Sequence, residues 1–533
     1  MRIKDKTIGY SAMRSILMFL VLFVAMALNA ADVTVDGISY DYSSESTLTV
    51  VRGAYSGDVV IPDEVVINGK IYVVTAIGPN AFEHMDITSV NIPPHVTSIG
   101  DYAFHWCDNL REIDLPNSVT TIGSSAFFEL RHLARVNMGD GVTTLGEYAF
   151  ANCIELTDLH LSESLTTIGR WAFRSCWMLP AVTIPNTVKQ VRFSAFADCQ
   201  HLKTVTIDNA STYIGDAAFE NCPMLSFVDL GNSVDSIGRS AFLSDTSLVE
   251  LHLSDSLVFI GPQAFGECSN LTNVVIPDKV RTIGVAAFHK CYELTEVVLG
   301  KSVEVLDEST FYNCVNLTHI TLPDSLKTIG DYAFLYCYKL KDLRIPDAVT
   351  QIGYAAFAAC RSLEEVILPQ SLTMIGEEAF IACSSMKKLT IQEHVISVGN
   401  KSFYQCDSLS TVICKATTPP QFVQEPSFPY ELATLYVPSQ SLEDYMSHNG
   451  WQQFHQIYGV KFTIPGDVNG DGEVTIADAN TVIIIINGGS SSGHTRVPDP
   501  DGDGWTILGD VNGDGEINIA DINAIINMIL TQD

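Results

Sequence analysis

Residues Thr97–Val119 read TSIGDYAFHWCDNLREIDLPNSV, a 23-residue unit that recurs along most of the chain. Ten repeat lengths later, Lys327–Val349 read KTIGDYAFLYCYKLKDLRIPDAV in the same register. A phenylalanine marks each copy, and Phe82 lies one copy before the first full-length one, after a single-residue deletion, which gives fifteen copies. The others are Phe104, Phe127, Phe150, Phe173, Phe196, Phe219, Phe242, Phe265, Phe288, Phe311, Phe334, Phe357, Phe380 and Phe403. Self-similarity at a fixed period indicates a solenoid, in which each coil packs only on its neighbours.

Each coil divides into residues that point inward and residues that point outward. Leu110, Ile113 and Leu115 follow the spacing L-x-x-I-x-L, the strand signature of leucine-rich repeats. The last two lie two residues apart, so both point to the interior while the residue between them points out. We expect a second extended piece at 119–122, and then a helical turn whose Phe ring stacks on its copies in neighbouring coils.

Twelve of the thirteen cysteines occupy one column, three residues after each Phe. They are Cys107, Cys153, Cys176, Cys199, Cys222, Cys268, Cys291, Cys314, Cys337, Cys360, Cys383 and Cys406. Leu130 fills this column in one coil, and a column that accepts Leu behaves as a packing site, so we predict buried thiols. Neighbouring coils would lie about 5 Å apart, which leaves a disulfide open on distance, although side chains stacked in parallel have poor disulfide geometry. A metal ladder is disfavoured because no His or Cys-x-x-Cys recurs beside the column.

Residues 1–30 differ from the repeat. They combine a basic leader with the apolar run SILMFLVLFVAMA and small residues at Ala27 and Ala30, which is typical of a cleaved secretory signal. An uncleaved anchor helix is the alternative. No later segment is long and apolar enough to cross a bilayer, so we expect an exported, soluble protein with no membrane span after cleavage. The net charge of −32 argues against nucleic acid or an anionic membrane as a partner.

The repeat needs a cap at each open end. Residues 31–75 alternate apolar and polar residues between turn formers, which predicts short antiparallel strands and an N-terminal β cap. The solenoid itself occupies residues 76–414. Two prolines in KATTPPQF then end it, and residues 415–460 contain a short strand followed by an aromatic-rich helix that begins at Ser441 and carries Leu442, Tyr445, Trp451, Phe454 and Ile457. This segment is predicted to be the C-terminal cap.

The repeat pattern I-G-x-x-A-F-x-x-C-x-x-L-x-x-I-x-L-P resembles the leucine-rich repeat of BspA-type bacterial surface proteins. The resemblance covers the chain from about Ile77 to Cys414. It implies a right-handed solenoid that binds proteins or host surfaces through its long exposed face. Local departures, such as Arg192 and Asp307 in place of Gly, leave the stack intact.

The outward positions of the L-x-x-I-x-L strands are where a ligand would bind. Between residues 227 and 344, several of these positions are apolar where solvent favours polar residues, and exposed apolar patches can mark interfaces. The alternative is that β-branched residues simply suit a strand. The candidate ligand-binding residues are Phe227, His252, Val275, Val298, His319 and Arg344.

Residues 461–533 contain a twelve-residue acidic pattern twice, 43 residues apart. Calcium is a hard cation that takes about six to eight oxygens. Positions one, three and five supply side-chain oxygens, a Gly at six permits the turn, position seven gives its carbonyl, position nine acts directly or through water, and position twelve supplies a carboxylate. Two calcium ions are predicted. The candidate ligands are Asp467, Asn469, Asp471, Glu473, Thr475 and Asp478 in the first loop, and Asp510, Asn512, Asp514, Glu516, Asn518 and Asp521 in the second.

Each loop leads into an apolar helix, and Val482 and Ile525 occupy equivalent positions in the two helices. The paired loop-helix units resemble a type I dockerin over residues 466–533. The resemblance implies a small α-helical domain that binds a cohesin and tethers secreted polysaccharide-degrading enzymes or other cargo to a scaffold or cell surface. Two features depart from the family: Ile476-Ala477 and Ile519-Ala520 stand where a Ser-Thr pair is common, and a long segment between the loops is interpreted as an acidic linker.

The sequence gives no sign of catalysis. His160, His252 and His319 lie two coils or more apart, and no Ser/His/Asp or Cys/His arrangement recurs. We therefore interpret the chain as a secreted or cell-surface, non-enzymatic binding protein of an anaerobic bacterium. Its solenoid would recognise an unknown protein or glycan, and its tail would bind a cohesin-like scaffold. The alternative is a non-catalytic, carbohydrate-binding accessory component of a polysaccharide-degrading complex.

Overall fold

A computed structural model describes residues 32–208, 213–341, 343–424, 428–462, 476–486, 496–499, 504–507, 511, 517 and 519–530. The predicted signal peptide, residues 1–30, lies outside these residues. The chain divides into two compact units. Unit 1 comprises Met1–Leu225 and Asp229–Gly231, and unit 2 comprises Ser226–Val228 and Asn232–Asp533. The architecture is a β-solenoid of about 18 turns, more than the fifteen that Phe marks.

The first described residues of unit 1 form the antiparallel strands that the sequence predicts there. Three strands pair antiparallel in succession, and a hairpin follows them. Lys70–Ile77, the second strand of the hairpin, pairs in parallel with the first two-residue strand of the repeat, Ser98–Ile99. Ser56–Val60 pairs in parallel with Asp86–Asn91. The remaining strands are Val33–Val35, Ile38–Tyr42, Thr47–Val50 and Glu64–Ile67.

Each repeat coil in unit 1 contributes two short strands, named here the first strand and the second strand. Arg135–Asn137 pairs in parallel with Glu112–Asp114 and Asp158–His160, each 23 residues away, so the register matches the sequence period. Ile113 is buried between exposed Glu112 and Asp114, as the alternation predicts. The other first strands are Ala181–Ile184 and Thr204–Ile207, and the second strands are Ser98–Ile99, Thr121–Ile122, Thr144–Leu145, Thr167–Ile168, Gln190–Val191 and Tyr213–Ile214.

Unit 2 repeats this arrangement with one interruption. The coil between His319–Thr321 and Glu365–Ile367 forms no first strand among its described residues. The other first strands are Glu250–His252, Asn273–Val275, Glu296–Val298, Lys388–Ile391 and Thr411–Cys414, and the strand Phe227–Asp229 contains residues of both units. The second strands are Ser236–Ile237, Phe259–Ile260, Thr282–Ile283, Val305–Leu306, Thr328–Ile329, Gln351–Ile352, Met374–Ile375, Ser397–Val398 and Gln421–Phe422.

The Phe column is the centre of the core in each unit. Every marker Phe is 0% exposed. Neighbouring rings stack with centroids 4.7–5.5 Å apart in unit 1. In unit 2 the stack continues past Phe403 to Phe428, with centroids 4.9 Å apart. Offset stacking at this separation adds to the free energy gained from burial alone.

The cysteine column lies beside the Phe column. All thirteen cysteines are buried and free, which confirms their predicted burial. The thiols also bond across coils: Cys153 Sγ donates to the Phe127 carbonyl at 3.3 Å, and Cys360 Sγ donates to the Phe334 carbonyl at 3.4 Å. The thiol therefore supplies a weak donor to a buried carbonyl that a Leu could not supply.

The segment around each Phe is a series of tight turns and not a continuous α-helical turn. Tyr102 and Trp106, two residues before and after Phe104, have φ angles of 57° and 58°. Left-handed residues interrupt helical hydrogen bonding, so alternate N–H groups donate to the next coil. The Phe104 N–H, for example, donates to the Ala126 carbonyl at 2.7 Å. These bonds satisfy the buried backbone by joining adjacent coils.

The predicted cap helix at 441–457 is much shorter in the structure. Helix α1 spans Leu442–Ser447, flanked by 3₁₀ turns at Ser439–Ser441 and Trp451–Gln453. Ser441 does not cap it, because its hydroxyl donates to the Thr417 carbonyl at 2.6 Å. Gln456–Val460, where the helix was expected to continue, instead pairs in parallel with Thr434–Pro438 and so extends the sheet.

The described part of the tail contains two helices, α2 (Ile476–Ile486) and α3 (Ile519–Leu530). Ala479 and Val482 of α2 pack with Ile525 of α3 in a buried cluster. The segment interpreted as a linker includes an antiparallel hairpin of Arg496–Asp499 and Gly504–Ile507. Among the described residues, none of the helices has the length and hydropathy required to span a membrane.

Candidate binding face and tail loops

The six candidate ligand-binding residues lie along unit 2. Five are on first strands, and Arg344 is in the coil without one. We call the outward side of these coils, from Phe227 to Arg344, the binding face. Coils stack about 4.8 Å apart, so the face is about 24 Å long and its members form a row, not a single cluster.

An aromatic contact forms one end of the binding face. The rings of Phe227 and His252 meet edge to face with centroids 5.5 Å apart. The His252 Nε2 lies 3.2 Å from Glu250 Oε1 on the same strand, and both side chains are more than half exposed. The edge-to-face contact leaves Phe227 only partly exposed, so it is less available to a ligand than the sequence suggested.

The middle of the binding face is apolar. Val275 and Val298 are register partners on adjacent parallel strands. They are 62% and 38% exposed, and Ile367, at the same outward position beyond Arg344, is 51% exposed. Three such side chains in one column leave apolar surface exposed to water, and burial of this surface by a partner would be favourable.

Two neighbouring first strands of unit 1, Glu112–Asp114 and Arg135–Asn137, carry polar, ion-paired residues at the equivalent positions. The Arg135 guanidinium donates to Asp114 Oδ2 at 2.6 Å and to Glu112 Oε2 at 3.2 Å. These bonds hold the pKa of the Asp114 carboxyl below its ordinary value, chiefly through the hydrogen bond from Arg135. This part of the strand face of unit 1 is therefore polar and ion-paired, whereas the middle of the binding face is apolar.

Two grooves meet at Arg344. One, of about 760 Å³, is lined by Lys301, Thr321 and Asp324, among others. The second, of about 630 Å³, is lined by Glu365 and other residues on the opposite side. Arg344 contributes to both, so a guanidinium, which is a donor to carboxylates, lines each groove.

Most of the predicted calcium ligands lie outside the described residues. These are Asp467, Asn469, Asp471, Glu473, Thr475, Asp510, Asn512, Asp514, Glu516 and Asn518, together with the side chain of Asp478. Asp521, position twelve of the second loop, is described and is 0% exposed. The Val511 N–H donates to its Oδ1 at 2.7 Å, which joins positions two and twelve of the loop. A buried carboxylate at the point where the loop closes fits a donor set for calcium.

The two helices of the tail show the same internal symmetry as the loops. Val482 and Ile525, 43 residues apart, are both 0% exposed in the shared cluster. Ile476 and Ile519, separated by the same 43 residues, are 64% and 68% exposed at the first position of each helix. The tail therefore presents two equivalent apolar side chains to solvent.

The structure also brings together residues of unit 1 that the sequence did not single out. Tyr148 and Trp171 stack with centroids 4.6 Å apart, Phe193 meets Trp171 edge to face at 5.2 Å, and the Arg170 guanidinium lies over both Trp171 and Phe193. Aromatic residues at the variable positions of successive I-G-x-x-A-F motifs were the available signal. A second group, which contains Glu83 and His105, lies in the first two marked coils.

A family model described as "BspA type Leucine rich repeat region (6 copies)" matches residues 75–203, 191–318 and 304–422. A dockerin type I domain model matches residues 465–506, which include the first predicted loop but not the second. Leucine-rich repeat solenoids are generally non-catalytic binding scaffolds, and dockerin type I domains bind calcium. No curated protein matches the chain.

Several solved structures are similar to this chain. A leucine-rich repeat protein from Bacteroides ovatus is 24% identical, with a TM-score of 0.50, and the match covers 74% of this chain and 100% of that one. A leucine rich cell surface protein from Faecalibacterium prausnitzii is 22% identical over 75% of this chain and 96% of its own, with a TM-score of 0.37. A leucine-rich repeat protein from Eubacterium ventriosum is 20% identical over 65% and 93%, also with a TM-score of 0.37. The first of these supports the fold.

Proposed function

Because the chain belongs to the BspA-type leucine-rich repeat family, we propose that it is an exported, non-enzymatic binding protein that recognises a protein ligand through the binding face. The repeats together with the dockerin-type tail support a protein-interaction role. The tail would attach the protein to a cohesin-like scaffold in a calcium-dependent manner. The observation that carries the proposal is the exposed pair Val275 and Val298, which are register partners in the same outward column as Arg344.

The chemistry of the binding face favours a partner with an apolar patch and a carboxylate. Val275 and Val298 lose water-exposed apolar area only when a partner covers them, which is favourable at about 25 cal/mol per Å². Arg344 lies two coils beyond Val298 in the same column, and its guanidinium donates to carboxylates in a fixed, planar geometry. Protein surfaces offer both features, so a protein is the preferred ligand class.

The test is a binding screen with the chain lacking residues 1–30 against extracellular-matrix proteins and plant polysaccharides. A ligand found there should bind Val275→Glu at least about tenfold more weakly, because a charge replaces an interface side chain at the centre of the face. Val258→Glu is the matched control, since Val258 is 46% exposed but lies beside a second strand. Unchanged binding by Val275→Glu and Val298→Glu would refute the assignment of this face.

The tail is proposed to hold two calcium ions, one in each loop, through the ligands given above. Calorimetric titration of the whole chain with calcium should resolve two sites, and Asp467→Ala should remove one of them, because position one supplies a side-chain oxygen. No heat of binding would refute the calcium loops. Ile476 and Ile519 are proposed to contact the cohesin-like partner, so Ile476→Asp should weaken capture by a cohesin in calcium.

A second candidate function rests on the aromatic row of unit 1. Tyr148, Trp171 and Phe193 present ring faces and edges in successive coils, and Phe193 is 37% exposed. Such rings suit the apolar faces of sugars, which would make the protein a carbohydrate-binding accessory component of a polysaccharide-degrading complex. Retention on insoluble plant polysaccharide that Trp171→Ala abolishes would favour this function over protein recognition.

We also propose the division of the chain that the sequence suggests. Residues 1–30 would be removed on export, and residues 31–75 and 415–460 would cap the solenoid of residues 76–414 ahead of the tail at 461–533. The mass of the protein recovered from the culture medium or the cell surface measures the first of these boundaries. A mass that still includes residues 1–30 would contradict cleavage.

A further inference from the structure

Glu83, His84 and His105 converge in the first two marked coils of unit 1. Each offers one metal-ligating atom, and the three atoms lie within 4.8 Å of one another. Glu83 and His84 directly follow Phe82, and His105 follows Phe104, so the Phe stack brings their coils together. The His84 N–H donates to the His105 carbonyl at 2.8 Å, which fixes the two backbones side by side.

The His105 imidazole is buried without its full set of partners. The residue is 9% exposed, and its ring stacks on Trp106 and Phe128 with centroids 4.5 and 5.3 Å apart. Its Nδ1 lies 3.4 Å from Glu83 Oε1, and its Nε2 is buried with no hydrogen-bond partner in the described structure. The ring is therefore held by packing, with its Nδ1 facing the Glu83 carboxylate.

The Glu83 carboxylate is already oriented. It is 6% exposed, and the Arg52 guanidinium donates to its Oε2 at 2.7 Å, which leaves Oε1 directed at the histidines. A fixed carboxylate beside histidine ligands is the usual arrangement around a protein-bound metal, where partners outside the ligand set hold the ligands in place. Because Arg52 occupies one oxygen, Glu83 would bind through the other alone.

We propose that Glu83, His84 and His105 bind one divalent transition-metal ion, with Zn²⁺ the best match. Two imidazoles and one carboxylate suit zinc, whose bonds of about 2.0–2.1 Å place tetrahedral ligand atoms about 3.3 Å apart. The 3.4 Å separation of Glu83 Oε1 and His105 Nδ1 already meets this spacing. His84 is exposed, its ring meets Trp106 edge to face with centroids 4.2 Å apart, and its ligating nitrogen lies within 4.8 Å of the other two ligand atoms. Three protein ligands leave a fourth position for water or for a group on a binding partner.

The test is calorimetric titration of the whole chain with Zn²⁺ while saturating calcium occupies the tail. Calorimetry on the native protein is preferred to a thermal shift, because the thirteen thiols would also bind zinc once the chain unfolds. His105→Phe introduces a phenylalanine, the residue that occupies the same repeat position in the next coil as Phe128. His84→Asn likewise copies Asn152, which has the same left-handed backbone with φ 60°.

The unmodified chain should bind one zinc ion, and His105→Phe and His84→Asn should each bind it at least about tenfold more weakly. The matched control is His289→Phe, which changes a histidine at the same repeat position whose Nδ1 lies 2.8 Å from the Ala286 carbonyl. This variant should bind zinc as the unmodified chain does. Absence of zinc binding, or equal affinity in the unmodified chain and both site variants, would overturn the proposal. If His105→Phe fails to fold, zinc affinity of the His84→Asn variant still tests the proposed site.

Discussion

Replacement of Phe334 by Ala tests the stacked Phe core at one coil of unit 2. Phe334 is 0% exposed, and its ring stacks on Phe311 and Phe357 with centroids 5.5 and 5.1 Å apart. Truncation of a buried Phe costs about 3–5 kcal/mol, through lost transfer free energy and the cavity left behind. Two stacked neighbours place the expected loss in the upper part of that range, at about 4–5 kcal/mol.

The assay is urea denaturation followed by far-ultraviolet circular dichroism, with hydrogen exchange of peptides from Lys327–Val349 to locate the effect. In a solenoid each coil contacts only its neighbours, so exchange should rise most in this coil and the two beside it. Lys339→Ala is the control, because Lys339 is exposed in the same coil and its loss should stay within about 0.5 kcal/mol. A loss for Phe334→Ala no larger than this would refute the Phe column as the source of stability.

Three other predictions concern thiols, the C-terminal segment and calcium. Iodoacetamide should label the column thiols only after denaturation, because all of them are buried in the folded chain. Burial raises the pKa of Cys107 from 9.0 to about 12, so only the unfolded thiol ionises between these pH values. Raising the pH through this range should therefore lower the free energy of unfolding by about 1.4 kcal/mol per pH unit for each such thiol. Tyr445→Phe should lose about 1–2 kcal/mol in urea denaturation, because its hydroxyl donates to the Ala416 carbonyl at 2.8 Å. Asp521→Asn should weaken one calcium site at least about tenfold by calorimetry, and two unchanged sites would contradict the proposed loop.

The sequence period predicts the coil register because each strand must hydrogen-bond to the same residues of its neighbours. Phe104 and Cys107 could be assigned to the core from their columns alone, and both are 0% exposed. The turn conformation could not be predicted, because residues such as Tyr102 and Trp106 are poor formers of left-handed backbone. They adopt it because their N–H groups donate to the adjacent coil, an effect of stacking and not of local preference.

The candidate sites likewise include features that the sequence predicts and features that it does not. The exposure of Val275 and Val298 could be predicted from strand alternation. The grooves at Arg344 could not be predicted, because residues 343–346 keep the repeat pattern of the sequence but form no first strand. The group at Glu83 and His105 depends on side-chain positions in two coils at once, which a one-dimensional pattern does not reveal. The helix predicted from Ser441 ended early because pairing with Thr434–Pro438 competed with helical periodicity.

Calcium-dependent docking of the tail is proposed to leave the binding face of unit 2 free for a ligand. The direct measurement is capture of the chain without residues 1–30 on a cohesin-coated sensor, in calcium and then in a chelator, followed by addition of a ligand from the screen. We predict capture in calcium, release in the chelator, and ligand binding by the captured chain that Val275→Glu weakens without affecting capture. Capture that persists in the chelator would contradict calcium-dependent docking, and capture that Val275→Glu abolishes would contradict a binding face separate from the tail.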